Sequence, residues 1–274
     1  LAGQLFLVAT PIGNLGDITA RSAQVLSEVD FIICEDTRHS RVLLDHIGVR
    51  KPTVSLPAFA EGERAAPLVS RLENGESAAL ITDAGSPGIS DPGEQLVALA
   101  IEAGVTVVPV PGPSAVIAAL SASGLPSQRF HFLGFLPRAA QEARTMLEEV
   151  AALSATLVLY EAPNRTAATL QVLEDVLGAR RACMARELTK LHEEFRRGTL
   201  RQLAESTAAQ TLKGEVVLLV EGRGAQARWN EDQVKQALSA GLQRGERLKA
   251  LSVEVAKAAG WAGPEVYKLG LGVK

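Results

Sequence analysis

Ser77-Ala78-Ala79-Leu80-Ile81 runs straight into Thr82-Asp83-Ala84-Gly85-Ser86-Pro87-Gly88, and the reading of this junction decides the fold. A short apolar run ending in a polar loop rich in glycine and proline is the pattern of a buried strand in a mostly parallel sheet. The pattern occurs twice more early in the chain. Leu5–Ala9 leads into Thr10-Pro11-Ile12-Gly13-Asn14, and Val105–Val110 leads into Pro111-Gly112-Pro113-Ser114-Ala115. Loops at the carboxyl ends of such strands are where open α/β sheets bind ligands. Glycine lets the backbone approach a ligand closely and leaves N–H and C=O groups to hold it. Three such loops predict one shared pocket.

Outward from these loops, strand and helix alternate. Asp17 or Thr19 is placed to cap a helix reaching about Val29. Asp30–Cys34 reads as a strand, Ser40–Ile47 as a helix ended by Gly48, Thr53–Leu56 as a strand and Glu61–Asn74 as a helix. Asp91-Pro92-Gly93-Glu94 has the form of a helix start, with an acidic N-cap, proline at N1 and glutamate at N3. Gly104 is placed to end that helix. Beyond the third loop the expected helices are Ser114–Ala122, Arg138–Leu153 and Asn164–Leu177. The expected strands are Phe130–Gly134, Thr156–Tyr160, Arg180–Arg186, Glu194–Gly198 and Val216–Val220. Strands close on either side of residues 187–193 predict an antiparallel hairpin and a mixed sheet.

From Gly222 the pattern is helical only. Val234, Leu238 and Leu242 make one stripe; Leu248, Leu251, Val255 and Ala259 make another. The helix–turn–helix outline of Arg247–Leu269 fits a nucleic-acid contact or a packed helical cap, and its spacing favours the cap. The fold class is α/β. The expected domains are an N-terminal α/β domain over 1–112, a C-terminal α/β domain over 113–224 and a helical C-terminal extension over 225–274.

Bulk properties narrow the function. The chain has 274 residues, 47% hydrophobic and 22% charged, as in an ordinary globular protein. No apolar stretch approaches the roughly 20 residues that span a bilayer, and no secretory signal is visible. Two distant cysteines, Cys34 and Cys183, sit in apolar runs, which suits small core residues and a reducing cytoplasm. Four scattered histidines give no zinc pattern, and no metal is expected. The net charge of −3 lacks the global basic footprint of many nucleic-acid binders. Residues 1–224 carry 20 basic against 26 acidic side chains; residues 225–274 carry 8 against 5.

The loops match neither the P-loop nor the dinucleotide fingerprint, which disfavours nucleoside triphosphatases and nicotinamide enzymes. What remains is a ligand held mostly by backbone, with Asp83 as the charged contact at a strand end. Glu35-Asp36-Thr37-Arg38-His39 follows the second strand and carries both charge signs to the same edge; helix capping with a surface ion pair is its bland reading. The densest ionisable cluster is Arg186-Glu187-Leu188-Thr189-Lys190-Leu191-His192-Glu193-Glu194. Strand-like alternation there would send Glu187, Thr189 and Leu191 to one face and Arg186, Leu188, Lys190 and His192 to the other.

Taken in order, several blocks resemble the tetrapyrrole-methylase-like (class III) S-adenosylmethionine methyltransferases. They are Thr10–Thr19, Glu35-Asp36-Thr37-Arg38, Thr82–Gly93, Pro111–Ala115, Tyr160-Glu161-Ala162-Pro163-Asn164-Arg165 and Arg186–Glu193. Within that superfamily the chain is similar to the ribosomal RNA small subunit methyltransferase I branch, over essentially its whole length. The resemblance implies a cytoplasmic homodimer of two α/β domains with the cofactor, S-adenosyl-L-methionine, in the cleft between them. It implies methylation of the ribose 2′-hydroxyl of a decoding-centre cytidine in 16S rRNA of the 30S ribosomal subunit. Carried over by motif, cofactor contacts come from Pro11, Asp83, Gly85, Ser86, Ser114 and Ala115 in the first half. In the second half they come from Tyr160, Leu188, Glu215 and Val216. Tyr267-Lys268 resembles the family's helical extension, whereas Ala262-Gly263-Pro264-Glu265 departs from the more basic turn expected there.

A methyl group on a sulfonium is already activated, so the main catalytic task is alignment. A ribose hydroxyl is a poor nucleophile at neutral pH and needs a base or a nearby positive charge. Among Glu35, Asp36, Lys190, His192 and Glu193, residue chemistry favours Lys190 with an acidic partner, Glu35 or Asp36, across the cleft. Arg21, Arg38, Arg41, Arg50, Lys51, Lys249, Lys257 and Lys268 are candidate phosphate contacts. The alternatives are a tetrapyrrole C-methyltransferase of the same superfamily and a non-catalytic ribosome-assembly protein that binds RNA.

Overall fold

Strands β1 (Gln4–Val8), β2 (Phe31–Cys34), β3 (Thr53–Ser55), β4 (Ala78–Ile81) and β5 (Thr106–Val110) form one parallel sheet, ordered β3-β2-β4-β1-β5. The structure, a computed structural model, describes residues 3–208, 210–224 and 229–273. β2 and β4 are buried at every position, so their sequences are unbroken apolar runs with no polar alternation. Helices α1 (Ala20–Glu28), α2 (Thr37–His46), α3 (Glu61–Glu73) and α4 (Glu94–Glu102) cover the two faces. Phe31, Ile33 and Leu80 pack with Leu68, Leu72 and Leu96 on one face; Ile32, Ala79 and Ile81 pack with Leu26 and Leu44 on the other. Because β4, β1 and β5 are neighbours, the three glycine-bearing loops leave the same sheet edge side by side. β2 lies next to β4 and delivers Glu35 and Asp36 to that edge.

Local capping follows the sequence in two places and departs from it in one. Thr19 caps α1, its hydroxyl accepting from the Ser22 N–H at 2.9 Å. Asp36 caps α2 by accepting from the Arg38 N–H at 2.8 Å, so that helix begins three residues before the expected Ser40. The start of α4 corrects an expectation. Its N-cap is Gly93, and the buried Glu61 of α3 reaches across to it. Glu61 Oε1 accepts from the N–H groups of Gly93, Gln95 and Leu96 at 3.0, 2.9 and 3.1 Å. Asp91 caps nothing and faces a cavity.

The second sheet holds β6 (Phe130–Phe135), β7 (Thr156–Glu161), β8 (Arg181–Arg186), β9 (Glu194–Thr199) and β10 (Val216–Val220), in the order β6-β7-β10-β8-β9. β6 and β7 are parallel and every other pair is antiparallel, as expected of a mixed sheet. Helices α5 (Ala115–Ser123), α6 (Ala140–Val150), α7 (Thr166–Leu177) and α8 (Leu200–Ala208) pack with it. α5 springs directly from the third loop, capped by Ser114, and its Val116, Ala119 and Leu120 pack on Val158, Cys183 and Val217. Ile12 of the first loop and Leu188 share that cluster, so the first sheet's loop is anchored in the second sheet's core.

The chain up to Ala151 and Ala155–Glu221 make one compact unit containing both sheets. Ala152–Ser154 and the chain from Gly222 onward make a second. In that unit α9 (Glu231–Gln243), α10 (Leu248–Ala259) and α11 (Gly263–Gly270) bury Val234, Leu238, Leu251, Val255 and Val266 together. Asn230 and Gln233 form a capping box at the start of α9. Among the described residues no helix is long and apolar enough to cross a membrane.

Candidate active site

The loops are joined to one another through backbone. The Thr10 N–H donates to the Gly85 carbonyl at 2.9 Å and the Gly85 N–H returns to the Thr10 carbonyl at 3.1 Å. The Thr10 hydroxyl donates to the Thr82 carbonyl at 3.1 Å. Two adjoining cavities open beside this bridge. The larger, about 390 Å³, is lined by Gly85 and Ser86 of the second loop and by Ser114 and Ala115 of the third. Tyr160, Leu188, Glu215 and Val216 line it from the second sheet, so eight of the ten expected cofactor residues share one cavity. The smaller, about 260 Å³, is lined by Pro11 and Asp83, the other two, with Lys190 and four residues of α2, His39, Ser40, Val42 and Leu43. Ile12, Ala84 and Glu215 line both.

Lys190 has different partners from those expected. Its Nζ donates to Glu187 Oε1 at 2.9 Å and to Glu215 Oε2 at 2.8 Å. Asp36 is instead engaged with Arg38, at 2.9 Å between Oδ2 and Nη2, and neither Asp36 nor Glu35 lines either cavity. The reason lies in the backbone after β8. The strand stops at Arg186, and Glu187 (φ 52°) and Thr189 (φ 66°) take the left-handed conformation. The alternation expected over residues 186–192 therefore does not form. A turn closed by the Lys190 N–H on the Glu187 carbonyl, at 3.0 Å, brings Glu187 and Lys190 together and buries Leu188. Leu191 is left 92% exposed.

Left-handed backbone is costly for a β-branched residue such as Thr189, roughly 1–3 kcal/mol, and such strain gathers at functional sites. Ser90, at φ 63°, is a third case and lines the larger cavity. Two glycines make room for the Lys190 assembly. A Cβ on Gly13 would stand 2.7 Å from Lys190 Cγ and Cε, and one on Gly214 would run into the Glu187 carboxylate. Sequence reasoning missed the roles of Glu187, Gly214 and Asp91. The signal for Glu187 was the dense run of charged residues directly after β8, too charged for the core.

The electrostatics of the edge are acidic. Burial pushes the Asp91 carboxyl up to about 6, reinforced by Glu35 and Asp83 and opposed by a hydrogen bond from Thr82. Glu35 is raised as well, by burial and then by Asp83 and Asp36. Asp36 is held at about 2 by its hydrogen bonds from Arg38. Burial works against the charge on Lys190, but hydrogen bonds to Glu215 and Glu187 carry it above the ordinary lysine value. Burial raises the Tyr160 phenol, whose ring packs edge-on to Phe132 at 5.0 Å. Asp83 Oδ1 is buried and makes no hydrogen bond among the described residues. A negative field and an unsatisfied carboxylate oxygen fit a ligand that brings positive charge, as a sulfonium does. Among the described residues no group of three or more His, Cys, Asp and Glu side chains is arranged to hold a metal ion.

Comparison with known proteins places this arrangement in a family. The profile of the Tetrapyrrole (Corrin/Porphyrin) Methylases matches residues 4–204. The ribosomal RNA small subunit methyltransferase I of Mesorhizobium japonicum is 51% identical, covering 81% of this chain and 76% of its own. The protein of the same name from Haemophilus influenzae is 43% identical, covering 99% of this chain and 97% of its own. The crystal structure of uroporphyrin-III C-methyltransferase from Thermus thermophilus, complexed with S-adenosylhomocysteine, shares the fold. Its TM-score is 0.58 at 19% identity, covering 81% of this chain and 98% of that one. The chain belongs to the tetrapyrrole methylase family and, within it, to the ribosomal RNA small subunit methyltransferase I group.

Proposed function

We propose that the protein is an S-adenosylmethionine-dependent methyltransferase that methylates a ribose 2′-hydroxyl of small-subunit ribosomal RNA, on a decoding-centre cytidine. The relatives' shared name supports the substrate, and the convergence of three loops on one cavity beside Lys190 carries the chemistry. Bound in the larger cavity, S-adenosylmethionine supplies a methyl group already activated by its sulfonium. Gly85, Ser86, Ser114 and Ala115 hold it largely through backbone, with Tyr160, Leu188, Glu215 and Val216 closing the second-sheet side. Pro11 and Asp83 bound it from the adjoining cavity, and Asp83 with Asp91 sets the negative field that a cation meets.

Lys190 is ion-paired to two carboxylates and held charged, so it acts as a fixed cation rather than as a proton acceptor. Its charge lowers the cost of the negative charge that the ribose oxygen gains as its proton leaves to solvent, and that charge is consumed when the oxygen takes the methyl group and the sulfur keeps the C–S electron pair. Glu187 and Glu215 position it. Glu35 contributes to the acidic field, while Asp36 caps α2 and fixes Arg38. A ribosomal substrate supports a cytoplasmic location, and the family resemblance supports a homodimer.

Single-turnover methylation of small ribosomal subunits by Lys190→Ala tests this reading. Cofactor affinity should stay within about threefold of the parent while the methylation rate falls by about a hundredfold or more, the loss typical of a deleted transition-state charge. Parental rates in Lys190→Ala would end it.

A further inference from the structure

We propose that Glu193 is a positioning residue for Lys190: its carboxylate holds the left-handed turn at Thr189 that aims the lysine, and it takes no proton from the substrate. This rests on the methyltransferase reading above and gives a role to a carboxylate that residue chemistry alone also allows as a base. Glu193 Oε2 accepts from the Thr189 N–H at 2.7 Å, and the Glu193 N–H donates to the Lys190 carbonyl at 3.1 Å. One residue therefore clasps the backbone on both sides of the Lys190 Cα. Glu193 lines neither cavity, so its carboxylate is occupied with the turn rather than with a ligand.

The turn needs such a clasp. At φ 66° Thr189 has a backbone conformation that β-branched residues rarely adopt, and relaxing it would swing Lys190 away from Glu187 and Glu215. The Thr189 hydroxyl does not hold the turn, since its buried Oγ1 makes no hydrogen bond among the described residues. Glu194 is already engaged, by Arg186 at 3.0 Å and by Arg196 at 2.6 Å. At the start of the turn Leu188 is buried with Ile12, Val116 and Val217, an anchor that keeps this wall of the cofactor cavity in place. Glu193 therefore acts on the lysine end of the turn and leaves the cofactor end alone. Its bond to Thr189 lies at the surface, so water reaches the freed N–H when the side chain is removed and the fold survives.

Glu193→Ala tests the assignment through two quantities, single-turnover methylation of small ribosomal subunits at saturating cofactor and cofactor Kd by calorimetry. The rate should fall at least about tenfold, the scale of a misplaced catalytic group, while Kd stays within about twofold of the parent. Glu193→Gln should recover the rate to within about threefold of the parent, because its amide oxygen accepts the same N–H. In a Thr189→Gly background, Glu193→Ala should lower the rate by no more than about threefold, because glycine enters the left-handed region without help. A parental rate in Glu193→Ala overturns the proposal. Glu193→Gln as slow as Glu193→Ala overturns it in favour of a charge or proton-transfer role, and an undiminished loss in the Thr189→Gly background shows that the turn is not what Glu193 holds. A parent protein that binds the cofactor but methylates no RNA defeats the methyltransferase reading itself, and Glu193 then has no reaction to serve.

Discussion

A lysine between two glutamates is a different chemical object from a lysine facing an aspartate across a cleft. Residue types alone made Lys190 the best candidate for helping a hydroxyl react, and that much needed only the sequence. Its partners were not legible, because Glu215 is 25 residues away in sequence and Glu187 reaches it only through a left-handed turn. Asp91 shows the same limit. Asp-Pro-Gly-Glu is a sound local helix start, yet three-dimensional competition from Glu61 took the cap and left Asp91 to the cavity. That placement has a measurable consequence. An ordinary aspartate ionises near pH 3.9, so Asp91 is neutral in both folded and unfolded chains below about pH 4. As pH rises through about 6, the folded protein must hold a carboxylate that its surroundings disfavour, and stability is lost relative to an unshifted group. The shift alone would amount to about 3 kcal/mol, and solvent screening of a half-buried group reduces it to about 1 kcal/mol. Asp91→Asn should therefore raise the stability of the ligand-free protein by about 1 kcal/mol at pH 8 and leave it unchanged at pH 4, read by urea unfolding. Equal effects at both pH values would show that burial and acidic neighbours do not set this group.

At the scale of elements, strands flanked by turn chemistry were the most legible part of the chain. Val216–Val220 has the expected bounds, and β4 and β5 differ only by a residue at their starts. α8 was not anticipated, although Leu200, Leu203, Ala204 and Thr207 carry the helical spacing of a buried face. The helix is only nine residues long and sits between two stretches of polar sequence, where a periodic signal is short. α4 owes its start to Glu61, a contact between helices that no local rule describes. Removing that carboxylate leaves three N–H groups without their acceptor, two of them in buried bonds. Glu61→Ala should cost about 2–3 kcal/mol of unfolding free energy, well above the usual cost of a lost cap. A loss under about 0.5 kcal/mol would mean that water or another side chain takes over the bonds.

For the whole molecule, the decisive inference was that three distant loops meet. Strand order is the physical reason: β4, β1 and β5 are neighbours, although 70 residues separate β1 from β4 in sequence. The polar–apolar pattern identified the loops, and parallel-sheet logic put their ends on one edge. What pattern could not give was the division of that edge into two cavities, because it depends on where Ile12 and Ala84 pack. Both sheets fall in one compact unit, held together by α5 and by Ile12 in the second sheet's core. The central claim is that this edge aligns a methyl donor with a ribose oxygen of ribosomal RNA. The direct test is to incubate the purified protein with S-adenosylmethionine labelled in its methyl group and unmodified small ribosomal subunits, then map the label by nucleoside mass spectrometry. The account predicts label on one ribose 2′-oxygen, at a cytidine; label on a base, on several scattered nucleotides or on no RNA at all would contradict it.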